Sequence, residues 1–176
     1  MLKSSVLILA TVALAAFSKA GESSPTDPQI ATIATIAVVA DSVDIDAGKL
    51  AVRKAHDKRV KEFAVLMVRD HSAVNAKATA LVKKLGVIPE ESATSRSLKA
   101  DGDKEIVKLK ALKGAEFDKA YVDHEVAYHE AVIGVLDKTL IPNTKNAELK
   151  SLLESARPVF TAHLEHAKTI QASLKK

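Results

Sequence analysis

Apolar residues recur every three or four positions along most of this 176-residue chain. That spacing places them on one face of an α-helix, where they can be buried together. Long runs lack the glycine and asparagine turn signals that separate the strands of β-proteins. The pattern therefore predicts an all-α fold with four long helices, over residues 28–55, 57–85, 116–140 and 146–174.

The second and third long helices are joined by a long connection, residues 87–114. Its first part, 87–97, contains Pro89 and a cluster of Ser and Thr and is expected to be a loop. A short amphipathic helix is predicted for residues 103–113. If this crossover returns the chain to the end where the second helix began, the second and third helices are parallel, as in a ferritin-like topology. We therefore expect a ferritin-like four-helix bundle whose long crossover carries a short extra helix.

Several residues mark where the helices begin, end or bend. Asp27 followed by Pro28 is typical of an N-cap and the first helical position, and Asp57 is predicted to cap the second helix. Gly86 is predicted to end that helix. Pro158 lies inside the fourth helix, where it removes one backbone hydrogen bond and is expected to cause a kink.

The first 20 residues have the pattern of a secretory signal peptide. Lys3 gives a positive start, residues 6–17 are apolar, and the small residues Ser18 and Ala20 precede a cut before Gly21. The apolar run is shorter than the ~20 residues that a spanning helix needs, which disfavours a retained anchor. We expect a polar leader at 21–27 and a folded domain at 28–176, without a spanning segment, located in the periplasm or peripheral to the outer membrane.

Charge and cysteine content exclude several classes of function. The chain has 26 Lys and Arg against 22 Asp and Glu, and the basic residues are spread along the helices without interleaved aromatics. Binding to nucleic acid therefore has little support. The chain contains no cysteine, which excludes disulfides, thiolate metal ligands and a lipid anchor on cysteine.

Polar residues interrupt the apolar stripes of the last three long helices. Glu125 and His129, one turn apart, fall on the apolar face of the third helix, and His163 lies at the centre of the stripe of the fourth. Asp70 and His71 occupy a gap in the stripe of the second helix, so at least one of them is expected to face inward. Buried carboxylates and imidazoles cost desolvation free energy unless they find partners.

The first long helix offers a weaker candidate. Asp44 intrudes on its apolar stripe, either as an inward residue or as an edge carboxylate paired with a lysine. Asp41 and Asp46 lie at the edges of the stripe and are expected to be solvated.

Helix positions indicate that these polar groups lie at one depth of the bundle. With ~1.5 Å of rise per residue and a ferritin-like topology, they fall within about 10 Å of one level. Carboxylate and imidazole ligands without thiolates suit Fe, Mn or Zn. The Glu-x-x-His pairs of di-iron carboxylate bundles are missing, so one mononuclear site or a metal-free polar layer remains. The candidate metal ligands are Asp44, Asp70, His71, Glu125, His129 and His163.

Four segments resemble, in combination, the motifs of one protein family: AGKLAVRKA (47–55), MVRDHS (67–72), EFDKAYVDHEVAYHEAV (116–132) and RPVFTAHLEHA (157–167). This is domain of unknown function family 4142, secreted bacterial proteins with a ferritin-like four-helix bundle, often labelled outer-membrane or periplasmic. The resemblance implies a fold and a compartment but no activity. The family often has Glu on its first helix where this chain has Asp44 and Asp46. Its recurrent positions fall on Asp70, His71, Phe117, Asp118, Tyr121, His129, Pro158 and His163.

Two functions are compatible with these observations. The first is a periplasmic bundle that binds a divalent metal in its core, with Tyr121 and Tyr128 supplying outer hydrogen bonds. The second is a non-catalytic cell-envelope interaction or stress-related protein whose core holds a metal-free polar layer. Its partner would be an envelope protein or a second copy in a homodimer. A hydrolase is disfavoured because neither a nucleophile elbow nor an HExxH motif occurs in the chain.

Overall fold

The structure, a computed structural model, describes residues 28–174. Its elements are α1 (Pro28–Lys54), α2 (Lys58–Lys84), α3 (Ala93–Ala111), α4 (Gly114–Val135), a π-helical turn (Leu136–Leu140), α5 (Ile141–Asn143) and α6 (Ala147–Leu174). Every regular element among these residues is helical, which confirms the all-α class. No helix within 28–174 is long and apolar enough to cross a membrane. The predicted signal peptide, the polar leader and the Asp27 cap lie outside the described residues.

Both ends of α2 follow the local rules that the sequence predicts. The Asp57 side chain accepts a hydrogen bond of 2.8 Å from the backbone N–H of Arg59, as an N-cap does. At the other end Gly86 has φ +64°, in the left-handed region. The N–H groups of Gly86 and Val87 donate to the carbonyls of Lys83 and Val82, at 3.2 and 3.1 Å. This is a Schellman motif, which satisfies the last carbonyls of a helix.

The extra helix is longer than predicted. α3 begins at Ala93, so the expectation of a loop up to residue 97 and a helix only from residue 103 is wrong. The cause is Ser92, whose Oγ accepts from the backbone N–H of Ser95 at 3.1 Å. The Ser95 Oγ in turn accepts from the N–H of Ser92 at 2.9 Å. The serine cluster is therefore a capping box rather than a loop.

The third long helix also differs from the prediction. It does not continue as a regular α-helix to residue 140, because a π-helical turn begins at Leu136. In this turn the N–H of Ile141 bonds to the carbonyl of Leu136, five residues earlier. The next residue is Pro142, which has no N–H and whose ring clashes with a regular helical carbonyl. A wider turn before the proline accommodates both restrictions.

The interior divides into two apolar cores. The turn-side core, near the α1–α2 turn, contains Leu50, Val60, Phe63, Met67, Leu109, Phe117, Tyr121, Val122, Ala167 and Ile170. The far core contains Ile30, Ile33, Ile36, Leu136, Leu140, Leu149, Leu153, Ala156 and Phe160. The helices α1 and α6 contribute buried residues to both, the π-helical turn after α4 contributes Leu136 and Leu140 to the far core, and α2 and α4 reach it through partly buried residues.

The two cores give the direction of each helix. Along the chain, α1 and α6 run from the far core to the turn-side core, whereas α2 and α4 run the other way. Helices α2 and α4 are therefore parallel. The chain returns between them through α3, which packs mainly along α1 and whose Leu109 lies in the turn-side core.

Polar contacts attach α3 and α4 to the α1–α2 turn. The Lys54 ammonium group donates to the carbonyls of Leu109 and Lys110, at 3.1 and 2.6 Å, near the end of α3. The buried carboxylate of Asp118, in the first turns of α4, accepts from the backbone N–H groups of His56 and Asp57. The start of α4 is thereby fixed against the start of α2, which sets the depth of the α4 residues that follow.

Close packing between α3 and α1 depends on Gly102. A Cβ atom at this position would lie 2.7 Å from Val43 Cγ2 and 2.9 Å from Cγ1. Valine has essentially one side-chain rotamer in a helix, so it cannot turn away. Replacing Gly102 by alanine must therefore move α3 away from α1.

We expect Gly102→Ala to lower the free energy of unfolding by about 1–3 kcal/mol, as overpacking does. Gly134→Ala is the matched control, because a Cβ there meets nothing within 4 Å. That substitution is expected to raise the free energy of unfolding by about 0.5–1 kcal/mol, since alanine is the better helix former. Urea unfolding of both variants checks the pair. If both substitutions changed the free energy of unfolding in the same direction, the close packing of α3 on α1 would be contradicted.

Candidate metal centre

A polar layer separates the two apolar cores. Each long helix contributes to it at the point where it leaves one core and enters the other. The layer consists of Asp41 and Asp44 from α1, His71 from α2, Glu125 and His129 from α4, and His163 from α6, all of them buried. The side chains of four helices thus meet at one depth of the bundle.

His71 is oriented by a carboxylate on α1. Its Nδ1 lies 2.8 Å from Oδ1 of Asp41, and both side chains are buried. This pairing assigns the proton to Nδ1 and leaves the lone pair on Nε2. Nε2 has no hydrogen-bond partner among residues 28–174 and lies 3.4 Å from Oδ2 of Asp44. A carboxylate that holds the far nitrogen of an imidazole is the usual support of a metal-binding histidine.

His129 is oriented by its own helix. Its Nδ1 lies 2.9 Å from the carbonyl oxygen of Glu125, one turn earlier. The carbonyl can only accept, so Nδ1 carries the proton and Nε2 carries the lone pair. Nε2 of His129 is buried and finds no hydrogen-bond partner in the described part of the chain.

His163 is oriented in the same way by α2. Its Nε2 lies 3.0 Å from Oδ2 of Asp70, and its buried Nδ1 has no partner among the described residues. Asp70 is itself held by Arg69, whose Nε and Nη2 lie 2.6 and 3.2 Å from its two oxygens. The Arg69 guanidinium lowers the pKa of Asp70, which keeps this carboxyl an acceptor.

Two carboxyl groups complete the layer. Both oxygens of Glu125 and Oδ1 of Asp44 are buried, and Glu125 is close enough to share a proton in hydrogen bonds with Asp44 and Tyr121. The hydroxyl of Tyr121 is buried beside Glu125, whereas Tyr128 donates to the carbonyl of Ala40 at 3.1 Å. Of the two predicted outer tyrosines, Tyr128 thus bonds the backbone of α1.

The ligand atoms are close enough to share one cation. One nitrogen from each of His71, His129 and His163 lies within 4.8 Å of the other two. A second group with the same spacing joins Asp44, Glu125 and His129. The three imidazole centroids are 5.3–5.6 Å apart. Since His129 belongs to both groups, the two groups lie next to each other in the polar layer.

Burial sets the protonation of the layer. It lowers the pKa of His129 to about 3, with a further contribution from His71, and it also lowers the pKa of His163. Burial raises the pKa of Glu125 to about 8. It also raises the pKa of Asp44 well above its usual range, and the charges of Glu125 and Asp41 add to that effect. Near neutral pH the histidines His129 and His163 are therefore neutral, the form that binds metals.

Five of the six predicted ligands converge: Asp44, His71, Glu125, His129 and His163. Asp70 lies one step outside, where it holds His163 rather than joining either group. The expectation that Asp41 is solvated is wrong, because this residue is buried against His71. In the sequence, the burial of Asp41 is indicated only by its position three residues before Asp44. The same spacing also fits a solvated residue at the edge of the apolar stripe.

The donor set fits a divalent transition metal. Three imidazoles and two carboxyl groups lie close together, and a hydrogen bond to one nitrogen of each imidazole fixes its ring orientation. Two ionised carboxylates match the charge of a divalent cation, which removes most of the cost of burying it. Lone pairs without protein partners at a shared point are what a bound cation satisfies.

Comparison with known proteins gives a family for the chain. The family model described as Domain of unknown function (DUF4142) matches residues 13–170. The chain belongs to this family. The resemblance found in the sequence motifs is thus confirmed. No curated protein and no solved structure matches the chain, and the description of DUF4142 assigns no activity, so the functional argument depends on the geometry of the polar layer.

The polar layer gives this DUF4142 protein a specific pH dependence of its stability in the presence of a chelator. Glu125 has a pKa of about 8 in the folded state against 4.5 ordinarily. The folded chain therefore binds more protons in this window, and stability falls as the pH rises from 4.5 to 8. His129, with a pKa of about 3 against 6.5, acts oppositely, with stability rising between those values. The interval from pH 6.5 to 8 thus separates the carboxyl groups, Glu125 and its neighbour Asp44, from His129.

We expect Glu125→Gln to remove the loss of stability that Glu125 causes as the pH rises from 6.5 to 8. The stability difference between the variant and the wild type should shift in favour of the variant by roughly 2 kcal/mol from pH 6.5 to pH 8. Urea unfolding of the chelator-treated proteins measures it. Glu165→Gln, at an exposed position of α6, is the control and should show no shift. A difference that is independent of pH would mean that Glu125 is ionised in the folded protein.

Proposed function

We propose that this protein binds one divalent transition-metal ion, Fe, Mn or Zn, at the centre of a ferritin-like four-helix bundle. One observation carries the proposal. Each of His71, His129 and His163 is held through one ring nitrogen, while its other nitrogen is buried without a partner among the described residues. Three independent hydrogen bonds thus orient three lone pairs toward a shared space.

The course of the chain supports the ferritin-like assignment. Helices α2 and α4 are parallel, and the chain returns between them along α1. A long crossover of this kind distinguishes such bundles from simple up-down-up-down bundles. In this protein the crossover also carries an extra helix, α3.

A single ion is favoured over a pair. His129 is common to both ligand groups, so the two groups do not form separate sets of ligands. His71, His129 and His163 have Val68, Val126 and Phe160 three residues earlier, so none belongs to a Glu-x-x-His pair. Nitrogen and oxygen ligands without thiolates suit Fe, Mn or Zn.

The alternative, a metal-free polar layer that fixes helix register, fits the contacts less well. Such a layer stabilises a core only if its members satisfy one another. Glu125 can pair with Asp44 and Tyr121, but one nitrogen of each of the three histidines has no protein partner within residues 28–174. Each buried group left unsatisfied costs about 1–3 kcal/mol. A bound cation offsets these costs at a single point.

We place this metal in the periplasm, on the strength of the signal-like residues 1–20. The role proposed is to store or buffer the ion. The polar layer is buried between the four long helices. Such a closed position suits retention of a cation better than turnover of a bulky substrate. An envelope protein or a second copy of the chain is the proposed partner for delivery of the metal.

Metal content tests the proposal. The chain from Gly21, without a histidine tag, is loaded in turn with Fe(II), Mn(II) and Zn(II), desalted, and analysed by elemental mass spectrometry. We expect about one ion per chain for at least one metal, and a marked loss of bound metal in His129→Ala and His163→Ala, because each substitution removes an inward lone pair. Bound metal should also raise the Tm of the wild type.

The control variant is His56→Ala. His56 is exposed at the α1–α2 turn, away from the polar layer, so its loss should leave the metal content unchanged. Unchanged metal content in both His129→Ala and His163→Ala would contradict the site. A wild-type chain that retains none of the three metals would leave the metal-free layer as the better account.

A further inference from the structure

The three hydrogen bonds that orient the histidines lie at different depths. The side chains of Asp41 and Glu125 are 4% and 0% exposed, whereas that of Asp70 is 21% exposed. Asp70 is therefore the only one of these three holding residues that solvent reaches. Its partner His163 is 3% exposed and belongs to the ligand group.

Asp70 joins the surface to the polar layer. On its outer side it pairs with Arg69, a side chain that is 69% exposed. On its inner side Asp70 accepts a hydrogen bond from His163 Nε2 through its Oδ2 atom. The same oxygen also accepts from Arg69 Nη2. The three residues form a continuous line of contacts from solvent to a candidate ligand. An ion pair this close to solvent is weak and opens readily.

Other sides of the layer are closed by contacts that are more deeply buried. Between α1 and α4, the hydroxyl of Tyr128 donates to the carbonyl of Ala40, and its ring packs against His129. Beside α6, the ring of Phe160 stacks on His71 with centroids 4.8 Å apart. Opening either side disturbs buried apolar packing, whereas opening the Arg69–Asp70 pair does not.

We propose that Asp70 is the residue through which a divalent cation enters the polar layer, an inference that rests on the proposed metal binding. The Arg69 guanidinium occupies the place on the carboxylate that an incoming cation takes. A hydrated dication displaces Arg69 from Asp70. Because Asp70 Oδ2 also holds His163, this exchange frees the His163 ring to turn and pass the cation to the lone pairs inside. Asp70 then resumes its hydrogen bond to His163.

The test separates the rate of loading from the amount loaded. Co(II) serves as the probe, because its visible absorption changes when nitrogen and oxygen ligands replace water, and stopped-flow mixing records the change. We expect Arg69→Ala to load faster than the wild type. Adding Asp70→Asn to Arg69→Ala should slow loading by at least about tenfold, since the negative charge that attracts the cation is lost. The final absorbance should be the same in all three proteins.

The double variant isolates the carboxylate. In both Arg69→Ala and Arg69→Ala/Asp70→Asn the guanidinium is absent, so their difference reports the charge of Asp70 alone. An asparagine oxygen can still accept from His163 Nε2, so the orientation of the ligand is kept. Circular dichroism and thermal unfolding without metal confirm that both variants fold.

A second Arg–Asp pair provides matched controls. Arg157 binds Asp137 through Nε and Nη2, at 2.6 and 2.8 Å, with the same two-point geometry. Neither residue contacts a candidate ligand in the contacts described for residues 28–174. Arg157→Ala and Arg157→Ala/Asp137→Asn should therefore load at the wild-type rate.

The outcomes distinguish this inference from the function on which it rests. Equal loading rates with and without the Asp70 carboxylate, or slower loading in Arg69→Ala, overturn the entry role while metal binding stands. A lower final absorbance in the Asp70 variant overturns it too, since Asp70 then acts in retention of the metal rather than in its entry. The absence of any Co(II) signal in the wild type, together with no retained Fe, Mn or Zn, overturns the proposed function itself.

Discussion

Enclosing ionisable side chains in an apolar interior is the constraint on which this bundle depends. A charge removed from water without compensation costs far more free energy than a small domain has available. The chain meets this constraint in its metal-free state by neutrality, since burial keeps His129 unprotonated and Glu125 protonated near neutral pH. The same groups can supply neutral nitrogens and, after proton loss, negative oxygens to a cation. One layer therefore permits folding without a ligand and still carries the donor groups that a cation requires.

Much of the fold could be predicted because burial leaves a periodic trace in the sequence. The three-and-four spacing located the long helices, and Asp57 and Gly86 marked the ends of α2 through local backbone chemistry. The start of α3 was missed because serine clusters are common both in loops and at helix starts. Only the mutual contacts of Ser92 and Ser95 distinguish the two. The π-helical turn was missed because Pro142 could equally have ended the helix.

The candidate site was partly predictable for a related reason. A polar residue at the centre of an apolar stripe must be buried, which identified Glu125, His129 and His163 within single helices. Asp41 lies at the edge of its stripe, and its burial is decided by a neighbour on another helix, His71. Asp70 and His71 are adjacent, and a small rotation of α2 decides which one faces inward. Sequence periodicity does not define helix rotation that finely.

The position of the polar layer between two separate cores has a consequence for cooperativity. Apolar packing joins the four helices at the turn-side core and again at the far core, with charged and imidazole groups between them. Without metal, the two ends of the bundle share few apolar contacts, so opening at one end is only weakly transmitted to the other. With the proposed cation bound by residues of all four helices, both ends would be tied to one point. Loading would then convert a bundle of two partly independent halves into one that opens as a unit.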